Sequence, residues 1–327
     1  MSIEYQVINY IISQREASIN ELSEHINVSR QMLHRVIKRM VEDRYLLKLG
    51  KPPKVFYTLI ENRSVVKEED HFLKKNEITF LEANFLLITE TGNRLNGIDA
   101  MQFWCARQKL PFEKTVKEYI HTRKKYLQYF LPNGLIDGTD KIKNTKAFKN
   151  VSVDKIFYCD CYAIERFGKT TLGTLLHFAK QGQNKILMQE IIANVKETIN
   201  KLIREKKIDA IGFIPPTIKR HLQFMHVLQR GLNLPLPHIN IVKVTGAIPV
   251  PQKALSRIED RIINARVSII VNDTHKFNKI LLIDDAVGSG ATINETAGKL
   301  KFKAMAQIVI GLAITGSFKG FDVIQEV

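Results

Sequence analysis

Two adjacent carboxylates, Asp284 and Asp285, follow an apolar run and precede a segment of small residues. The run from Ile280 to Ile283 is continuous, which is typical of a strand buried on both faces of a parallel sheet. We expect Asp284 and Asp285 to end that strand, residues 288–290 to form a tight turn, and a helix to begin at Ala291. Because a strand end, a small-residue turn and a helix N-terminus bring several free N–H groups together, this segment predicts a phosphate-binding site.

The acidic pair indicates what accompanies the phosphate. Carboxylates do not bind a phosphate group, but they accept hydrogen bonds from the two hydroxyls of a vicinal diol, and they also coordinate Mg²⁺. A sugar phosphate suits both the acidic pair and the turn, so we predict that class of ligand. The alternative interpretation is an ordinary strand, turn and helix in which the strand ends in acidic residues.

Residues 279–292 resemble the loop that binds phosphoribosyl pyrophosphate (PRPP) in type I phosphoribosyltransferases. In that loop an apolar strand leads into two acids, two apolar residues and the sequence Thr-Thr-Gly-x-Thr, whose first threonine is replaced here by Gly288. The resemblance implies that Asp284 and Asp285 are catalytic, hold the ribose hydroxyls and bind the Mg²⁺ that accompanies PRPP. It also implies that seven residues hold the 5′-phosphate: Ala286, Val287, Gly288, Ser289, Gly290, Ala291 and Thr292.

A narrower resemblance, to the competence-associated branch of the same enzymes, covers the chain from residue 151 onward. It rests on a proline-rich loop with basic residues, a helix, and then Gln252, Arg261 and Asn264 ahead of the PRPP loop. The resemblance implies that four residues contact the pyrophosphate: Pro216, Thr217, Lys219 and Arg220. It also implies that Gln252 and Arg261 are catalytic residues of a lid. The usual Arg-Gly-Phe-Asn sequence is replaced by residues 221–224, so no acceptor is implied.

Residues 1–60, called the headpiece below, have the pattern of a winged helix-turn-helix. Ser18 and Glu21 have the spacing of a capping box for a second helix, and Ser29 is placed to cap a third. We expect the third helix to bury five side chains: Met32, Leu33, Val36, Ile37 and Met40. Residues 45–59 predict a two-stranded wing. The headpiece resembles bacterial winged-helix regulators, which implies nucleic-acid contacts by Arg30, Gln31, His34, Arg35, Lys38, Arg39 and Lys51.

The composition favours a polyanionic partner. The 327 residues carry a formal net charge of +16, and the isoelectric point is near 9.6. Because the excess of Lys and Arg extends over the whole chain, we expect a nucleic-acid partner, DNA rather than RNA. The alternative is a dimerisation module whose basic helix is merely solvated. The sequence has no membrane-spanning apolar run, signal-peptide character or disulfide framework, so we expect a cytoplasmic protein without membrane contacts.

Beyond the headpiece the chain divides into two further predicted parts. Residues 61–150 are predicted to be a linker and a mixed middle segment of unknown role, in which residues 80–89 fit either a strand or a helix. In residues 151–327 strands alternate with helices, which predicts an α/β fold with a parallel sheet and helices on both faces. We expect one strand over residues 239–244. Such sheets bind ligands at the carboxyl ends of their strands, so the predicted site residues should share one cleft.

Three functions are consistent with these resemblances. The first is a phosphoribosyltransferase that acts on an unknown acceptor and carries a nucleic-acid-binding headpiece. The second is a non-catalytic regulator that senses PRPP, as winged-helix purine repressors do. The third is an antiphage defence effector held on a nucleic-acid scaffold, which resembles effectors encoded beside retron reverse transcriptases. A second copy of the chain and a reverse transcriptase are therefore candidate protein partners.

Overall fold

The computed structural model describes residues 3–26, 28–43, 45–60, 73–216, 218, 220–244 and 255–317. These residues belong to two compact units, residues 1–71 and residues 72–327. The predicted combination of a winged helix-turn-helix with a largely parallel α/β fold is confirmed. Most of the predicted linker lies outside the described residues, and so do three predicted site residues, Thr217, Lys219 and Gln252.

The first unit contains the winged helix-turn-helix. Its elements are α1 (Ile3–Gln14), β1 (Glu16–Ala17), α2 (Ile19–Ile26), α3 (Arg30–Glu42), β2 (Leu46–Lys51) and β3 (Lys54–Leu59). The strands form an antiparallel sheet in the order β1-β3-β2, in which β2 and β3 are the predicted wing.

Local capping fixes where the helices of the headpiece begin. The Ser18 N–H donates to the Glu21 carboxylate at 2.6 Å, and the Glu21 N–H donates to the Ser18 hydroxyl at 3.3 Å, so the predicted capping box is confirmed. The hydroxyl of Ser29 accepts from the Met32 N–H and caps α3, as predicted. These caps satisfy N–H groups that have no partner inside the helix.

The core of the headpiece matches the predicted apolar face except at one position. Leu33, Ile37 and Met40 of α3 are buried against α1 and α2, and Val36 is partly buried. The prediction that Met32 is buried was wrong, because half of that side chain is exposed. Met32 immediately precedes Leu33 on the helix and therefore lies at the edge of the buried stripe, where a methionine is easily left in solvent.

The second unit begins with elements of the predicted middle segment. These are α4 (Lys75–Asn84), β4 (Leu86–Ile88), β5 (Arg94–Asn96), α5 (Gly97–Gln108), α6 (Phe112–Leu127), β6 (Ile136–Asp137) and α7 (Thr139–Lys143). Residues 80–89, which fitted a strand or a helix, contain the end of α4 and all of β4. The side chains of Leu81, Met101 and Tyr119 share a hydrophobic core with strands of the main sheet.

The rest of the second unit alternates between strands and helices. Its elements are β7 (Lys155–Cys161), α8 (Thr171–Gln181), α9 (Lys185–Lys206), β8 (Ala210–Phe213), α10 (Phe224–Leu232), β9 (His238–Ile239), β10 (Ile241–Lys243), α11 (Ile258–Ser268), β11 (Ile269–Val271), β12 (Phe277–Val287), α12 (Ala291–Phe302) and β13 (Ala306–Gly316). Among the described residues, six strands form the main sheet in the order β6-β7-β13-β12-β8-β9, and only β6 runs antiparallel to its neighbour.

The central strand β12 is covered on both faces, as its apolar run predicts. Leu281 and Ile283 pack with residues of α8, α9 and α10, whereas Ile280 and Leu282 pack with residues of α12 on the opposite face. All four side chains are fully buried. Because successive strand residues point to opposite faces, a strand can be apolar throughout only when both faces are covered.

Two predictions about the strands were wrong. The strand of the acidic pair does not end at Asp284 but continues to Val287, because β13 continues beside it and pairs with Ala286. Residues 239–244 do not form one strand. The Asn240 N–H donates to the Asp273 carboxylate at 3.1 Å, which turns the chain away from β8. Beyond that point β10 pairs with β11 in a separate antiparallel ribbon.

A buried ion pair joins the middle segment to the sheet. The guanidinium of Arg123 on α6 donates to both carboxylate oxygens of Asp160 on β7, at 3.0 and 2.9 Å. Each side chain is less than a tenth exposed. Arg123 also donates to the Asn84 side chain, so α4, α6 and β7 meet at one polar contact inside an apolar core.

Candidate functional site

The acidic pair lies just past the carboxyl end of a neighbouring strand. On that side of β12, the shorter strand β8 ends at Phe213, whose partner is Ile283. Among the described residues, β12 from Asp284 onward therefore pairs with a strand only on the β13 side, and the space beyond β8 is a cleft lined by both carboxylates. The cleft encloses about 230 Å³. This is the position at which parallel sheets bind ligands.

The two carboxylates have different environments. The Asp285 carboxylate forms an ion pair with Lys180 of α8, with 2.5 Å between Oδ2 and Nζ. The Asp285 N–H donates to Asp284 Oδ1 at 2.8 Å. Burial, and next the negative charge of Asp285, raise the pKa of Asp284 above its ordinary value. The site therefore combines one ion-paired carboxylate with one whose charged form is disfavoured, and the oxygen atoms of both are suited to a cation or to hydroxyl donors.

Three basic side chains share the cleft with the acids. Lys180, Arg220 and Lys243 line the same cleft as the acidic pair. The Arg220 guanidinium donates to the backbone carbonyl of Lys180, which links the loop after β8 to the C-terminal turn of α8. Burial lowers the pKa of Lys243, and the two carboxylates partly oppose that shift. A ligand that carries both hydroxyls and phosphates would find acceptors for the first and cations for the second in this cleft.

The turn between β12 and α12 packs closely against α7. Gly290 has a φ of 80°, and a Cβ atom there would lie 2.5 Å from Ile142 Cδ1 of α7, so only glycine fits. Lys141, the residue before Ile142, donates from Nζ to the carbonyls of Gly288 at 2.8 Å and Ser317 at 2.5 Å. With these carbonyls held on the α7 side, the turn is fixed ahead of the N-terminus of α12.

A buried asparagine holds the helix that follows the turn. The side chain of Asn294 is 2% exposed and accepts from the N–H groups of Ser152 and Val153, at 2.7 and 3.3 Å. Its amide group donates to the carbonyl of Asn150 at 3.0 Å. These bonds fix the first turn of α12, where the free N–H groups that favour an anion are found.

The remaining walls of the cleft are mainly apolar. Leu176, Ile214, Phe224 and Met225 line it, together with Tyr162 and His177, whose hydroxyl and Nδ1 atoms are 3.4 Å apart. Apolar walls that carry a few polar groups are typical of small-molecule sites.

The structure brings most of the described site residues together. Those that line the cleft are Asp284, Asp285, Ala286, Thr292, Pro216 and Arg220. The turn residues Val287, Gly288, Ser289, Gly290 and Ala291 connect Ala286 to Thr292. Arg261 is on α11, where its Nε donates to the Leu255 carbonyl at 2.7 Å, and it is not among the described residues that line the cleft.

Sequence reasoning found Arg220 but missed the other two cations of the cleft, Lys180 and Lys243, and it also missed Lys141 beside the turn. Lys180 follows the apolar residues of α8, and that position was a weak signal, because a lysine beside a buried helical face usually extends its ammonium into solvent. Lys243 and Lys141 gave no comparable signal. Lys141 contacts a carbonyl 147 positions further along the chain, and only the fold brings the two together.

The headpiece presents a basic surface on the exposed side of α3. Arg30, Gln31, His34 and Arg35 are all exposed, as is Lys51 of the wing. Within the described residues, Arg30 and Arg35 form no ion pair, whereas Lys38 is 3.8 Å from Glu42 and Arg39 pairs with Glu4 of α1. The unpaired arginines are therefore better placed to bind phosphates than Lys38 and Arg39.

The described residues contain no complete metal site made of protein ligands alone. No group of three or more His, Cys, Asp or Glu side chains there could hold a metal ion by itself. Among the described helices, none is long and apolar enough to cross a bilayer. Asp284 and Asp285 nevertheless fit Mg²⁺ as a partial ligand set, because this ion is usually held by one or two carboxylates with substrate phosphates and water.

Comparison with known proteins identifies the headpiece fold. Residues 2–46 match the model of the family described as winged helix-turn-helix DNA-binding. No curated protein matches the chain. Among solved structures, the chain is similar to a hypoxanthine phosphoribosyltransferase from Staphylococcus aureus, at 12% identity and a TM-score of 0.27. That similarity covers 42% of this chain and 70% of the other, and says nothing about a shared substrate.

Proposed function

We propose that this protein binds PRPP with Mg²⁺ in the cleft beyond β8, and that it transfers or hydrolyses the phosphoribosyl group. One observation carries the proposal. The acidic pair, the turn before α12 and the cations Lys180 and Arg220 converge at the carboxyl end of a parallel sheet. PRPP has a ribose diol, a 5′-phosphate and a pyrophosphate, and each of these groups has a chemical counterpart in this arrangement.

The residues are assigned to the parts of PRPP by their chemistry. Asp284 and Asp285 accept from the ribose hydroxyls and bind the Mg²⁺ that accompanies the pyrophosphate, while residues 286–292 hold the 5′-phosphate. Bound Mg²⁺ offsets negative charge on the departing pyrophosphate. Arg220 adds a fixed positive charge beside that leaving group, where negative charge develops as the bond to ribose C1 breaks. Gln252 and Arg261 are proposed as lid residues that exclude water from the closed site.

Binding is tested by calorimetry with Mg²⁺ and PRPP. We expect wild-type protein to bind, and the double variant Asp284→Asn/Asp285→Asn to lose binding. Glu24→Gln is the control, because Glu24 is an exposed acid on α2 of the other unit. Absence of binding by wild type, or equal binding by the double variant, would contradict the proposal.

Catalysis needs its own test, which is the release of pyrophosphate from PRPP with bases, nucleotides or nucleic acids as acceptors. We expect release that is abolished in Asp285→Asn and reduced in Arg261→Ala. Protein that binds PRPP tightly but releases no pyrophosphate under any of these conditions would not be the proposed enzyme.

A second candidate function is PRPP sensing that controls the headpiece. It is favoured by the presence of a winged helix-turn-helix in the same chain as the cleft. We propose that the exposed face of α3 and Lys51 bind DNA, because such helices enter the major groove while the wing contacts the backbone. If PRPP changes DNA affinity without being consumed, sensing is the better account. If the DNA affinity is unchanged by PRPP, sensing is excluded.

A further inference from the structure

A cation of the chain itself lies against the acidic pair. Lys180 lies one residue before the end of α8, and its Nζ is 2.5 Å from Asp285 Oδ2. The Lys180 side chain is 30% exposed and that of Asp285 is 19% exposed, so the pair is shielded yet open to the cleft. The same carboxylate is one of the two that would bind Mg²⁺ under the proposed function.

One carboxylate cannot keep an ammonium group at this distance and also bind a metal ion in the same direction. Mg²⁺ coordinates carboxylate oxygen at about 2.1 Å and tolerates little distortion of its octahedral geometry. Entry of Mg²⁺ at Oδ2 of Asp285 would therefore move the Lys180 ammonium away from that oxygen. A lysine can make that move without a change of backbone, because its charge lies at the end of a flexible four-carbon stem.

The surroundings of Lys180 limit where the displaced ammonium can go. The backbone of Lys180 is held by Arg220, whose guanidinium donates to the Lys180 carbonyl. His177 and Gln181 of α8 line the same cleft as Lys180, so this face of the helix is directed into the site. An ammonium released from Asp285 thus remains in the cleft beside Arg220. That is where the proposed function places the pyrophosphate.

We propose that Lys180 exchanges partners when the ligand binds. In the ligand-free protein it neutralises Asp285, and in the complex Mg²⁺ takes its place at Asp285 while the ammonium pairs with pyrophosphate oxygens. No covalent bond changes in this exchange. Lys180 is thereby a leaving-group contact that also keeps the empty site from binding Mg²⁺ alone. This inference rests on the proposed function, because it takes Mg²⁺ and PRPP as the ligands.

The exchange predicts that one substitution changes the affinities for two ligands in opposite directions. Lys180→Met should bind Mg²⁺ alone about tenfold more tightly, since a competing charge-assisted hydrogen bond is removed. The same variant should bind Mg²⁺–pyrophosphate more weakly than wild type, because the charged contact with pyrophosphate that it loses outweighs the Asp285 carboxylate that it frees. Both affinities are measurable by calorimetry without turnover. Lys180→Arg keeps the charge and should retain most of the pyrophosphate affinity.

Two controls separate the exchange from damage to the fold. Lys185→Met removes an exposed lysine at the start of α9 and should change neither affinity. In an Asp285→Asn background, the Lys180→Met substitution should no longer raise the affinity for Mg²⁺, because the carboxylate for which the two cations compete is gone. Thermal unfolding of each variant shows whether it is folded.

The outcomes distinguish this inference from the proposed function. If wild type binds Mg²⁺–pyrophosphate and folded Lys180→Met binds it equally well, the exchange is wrong and the proposed function stands. If Lys180→Met gains no affinity for Mg²⁺ alone, Lys180 does not compete with Mg²⁺ for Asp285, and the exchange is likewise wrong. If wild type binds neither Mg²⁺–pyrophosphate nor Mg²⁺–PRPP, the proposed function fails and the exchange fails with it.

Discussion

The ammonium of Lys141 lies 2.8 Å from the carbonyl oxygen of Gly288, a contact between α7 and the turn before α12. The same ammonium donates to the carbonyl of Ser317 just beyond β13. The turn is therefore bound to two distant parts of the chain by one side chain that is outside the phosphoribosyltransferase-like motif. The position of the turn therefore depends on a contact from α7 as well as on the sequence of the turn itself.

Substitution of Lys141 should lower the affinity for phosphate as well as the free energy of unfolding. Lys141→Met leaves two carbonyls without this donor, at a cost of about 1–3 kcal/mol in the free energy of unfolding. We expect affinity for ribose 5-phosphate to fall by about tenfold, because the N–H groups that bind the phosphate are no longer held in place. Calorimetry and chemical denaturation measure the two effects. Lys143→Met, an exposed lysine on the same helix, is the control and should behave as wild type.

Gly290 is expected to tolerate no side chain, for two separable reasons. Any L-residue at its φ of 80° pays a backbone cost of about 1–2 kcal/mol, and the Cβ would also collide with Ile142. Gly92 has a φ of 81° but open space around its Cβ position, so Gly92→Ala carries the backbone cost alone. Gly290→Ala should therefore lower Tm more than Gly92→Ala. Equal losses of Tm would show that the contact with Ile142 is unimportant.

The stability of the ligand-free protein should depend on pH through Asp284. Its pKa is raised in the folded state, so the folded protein binds more protons than the unfolded chain above about pH 4, the ordinary carboxyl range. The free energy of unfolding contributed by this group therefore decreases as pH rises. Asp284→Asn removes the buried charge and should stabilise the protein by about 1–2 kcal/mol at pH 8 and by less at pH 5. Denaturant unfolding at both pH values provides the measurement, and a variant that is less stable than wild type at pH 8 would contradict it.

The headpiece should bind DNA mainly through charge. Arg30→Ala and Arg35→Ala should each weaken binding and reduce the slope of log K against log salt by about one, as expected when one phosphate contact is lost. Arg39→Ala should have a smaller effect, because Arg39 already pairs with Glu4. Fluorescence anisotropy over a series of salt concentrations gives these slopes. The exposed Lys114 of α6 is the control position. If Arg35→Ala and Lys114→Ala have the same slope, α3 is not the binding surface.

The parts of the site that were predictable are those in which neighbouring residues act together. The apolar run, the acidic pair and the small-residue turn are contiguous, so their periodicity and order indicated a strand, a turn and a helix. The capping contacts of Ser18 and Ser29 were predictable for the same reason. Each contact joins residues three positions apart, so local geometry determines it.

The parts that were not predictable depend on distant partners. The strand continues past Asp284 because β13 continues beside it, and the chain turns at Asn240 because Asp273 offers an acceptor. Lys180 meets Asp285 across 105 positions. A lysine in a helix is most often solvated, so its sequence neighbours do not reveal that it faces a carboxylate.

The buried pair of Arg123 and Asp160 sets a limit on how this protein can be divided. A fragment that started at residue 151 would keep the acidic pair and the turn, but it would leave the Asp160 carboxylate without its counterion. Breaking such a pair by removal of one partner costs about 3–5 kcal/mol, a large share of the stability of a single domain. Residues 73–317 should therefore be expressed, or transferred to another protein, as one block. Natural gene fusions that reuse this cleft are expected to retain α6 with it.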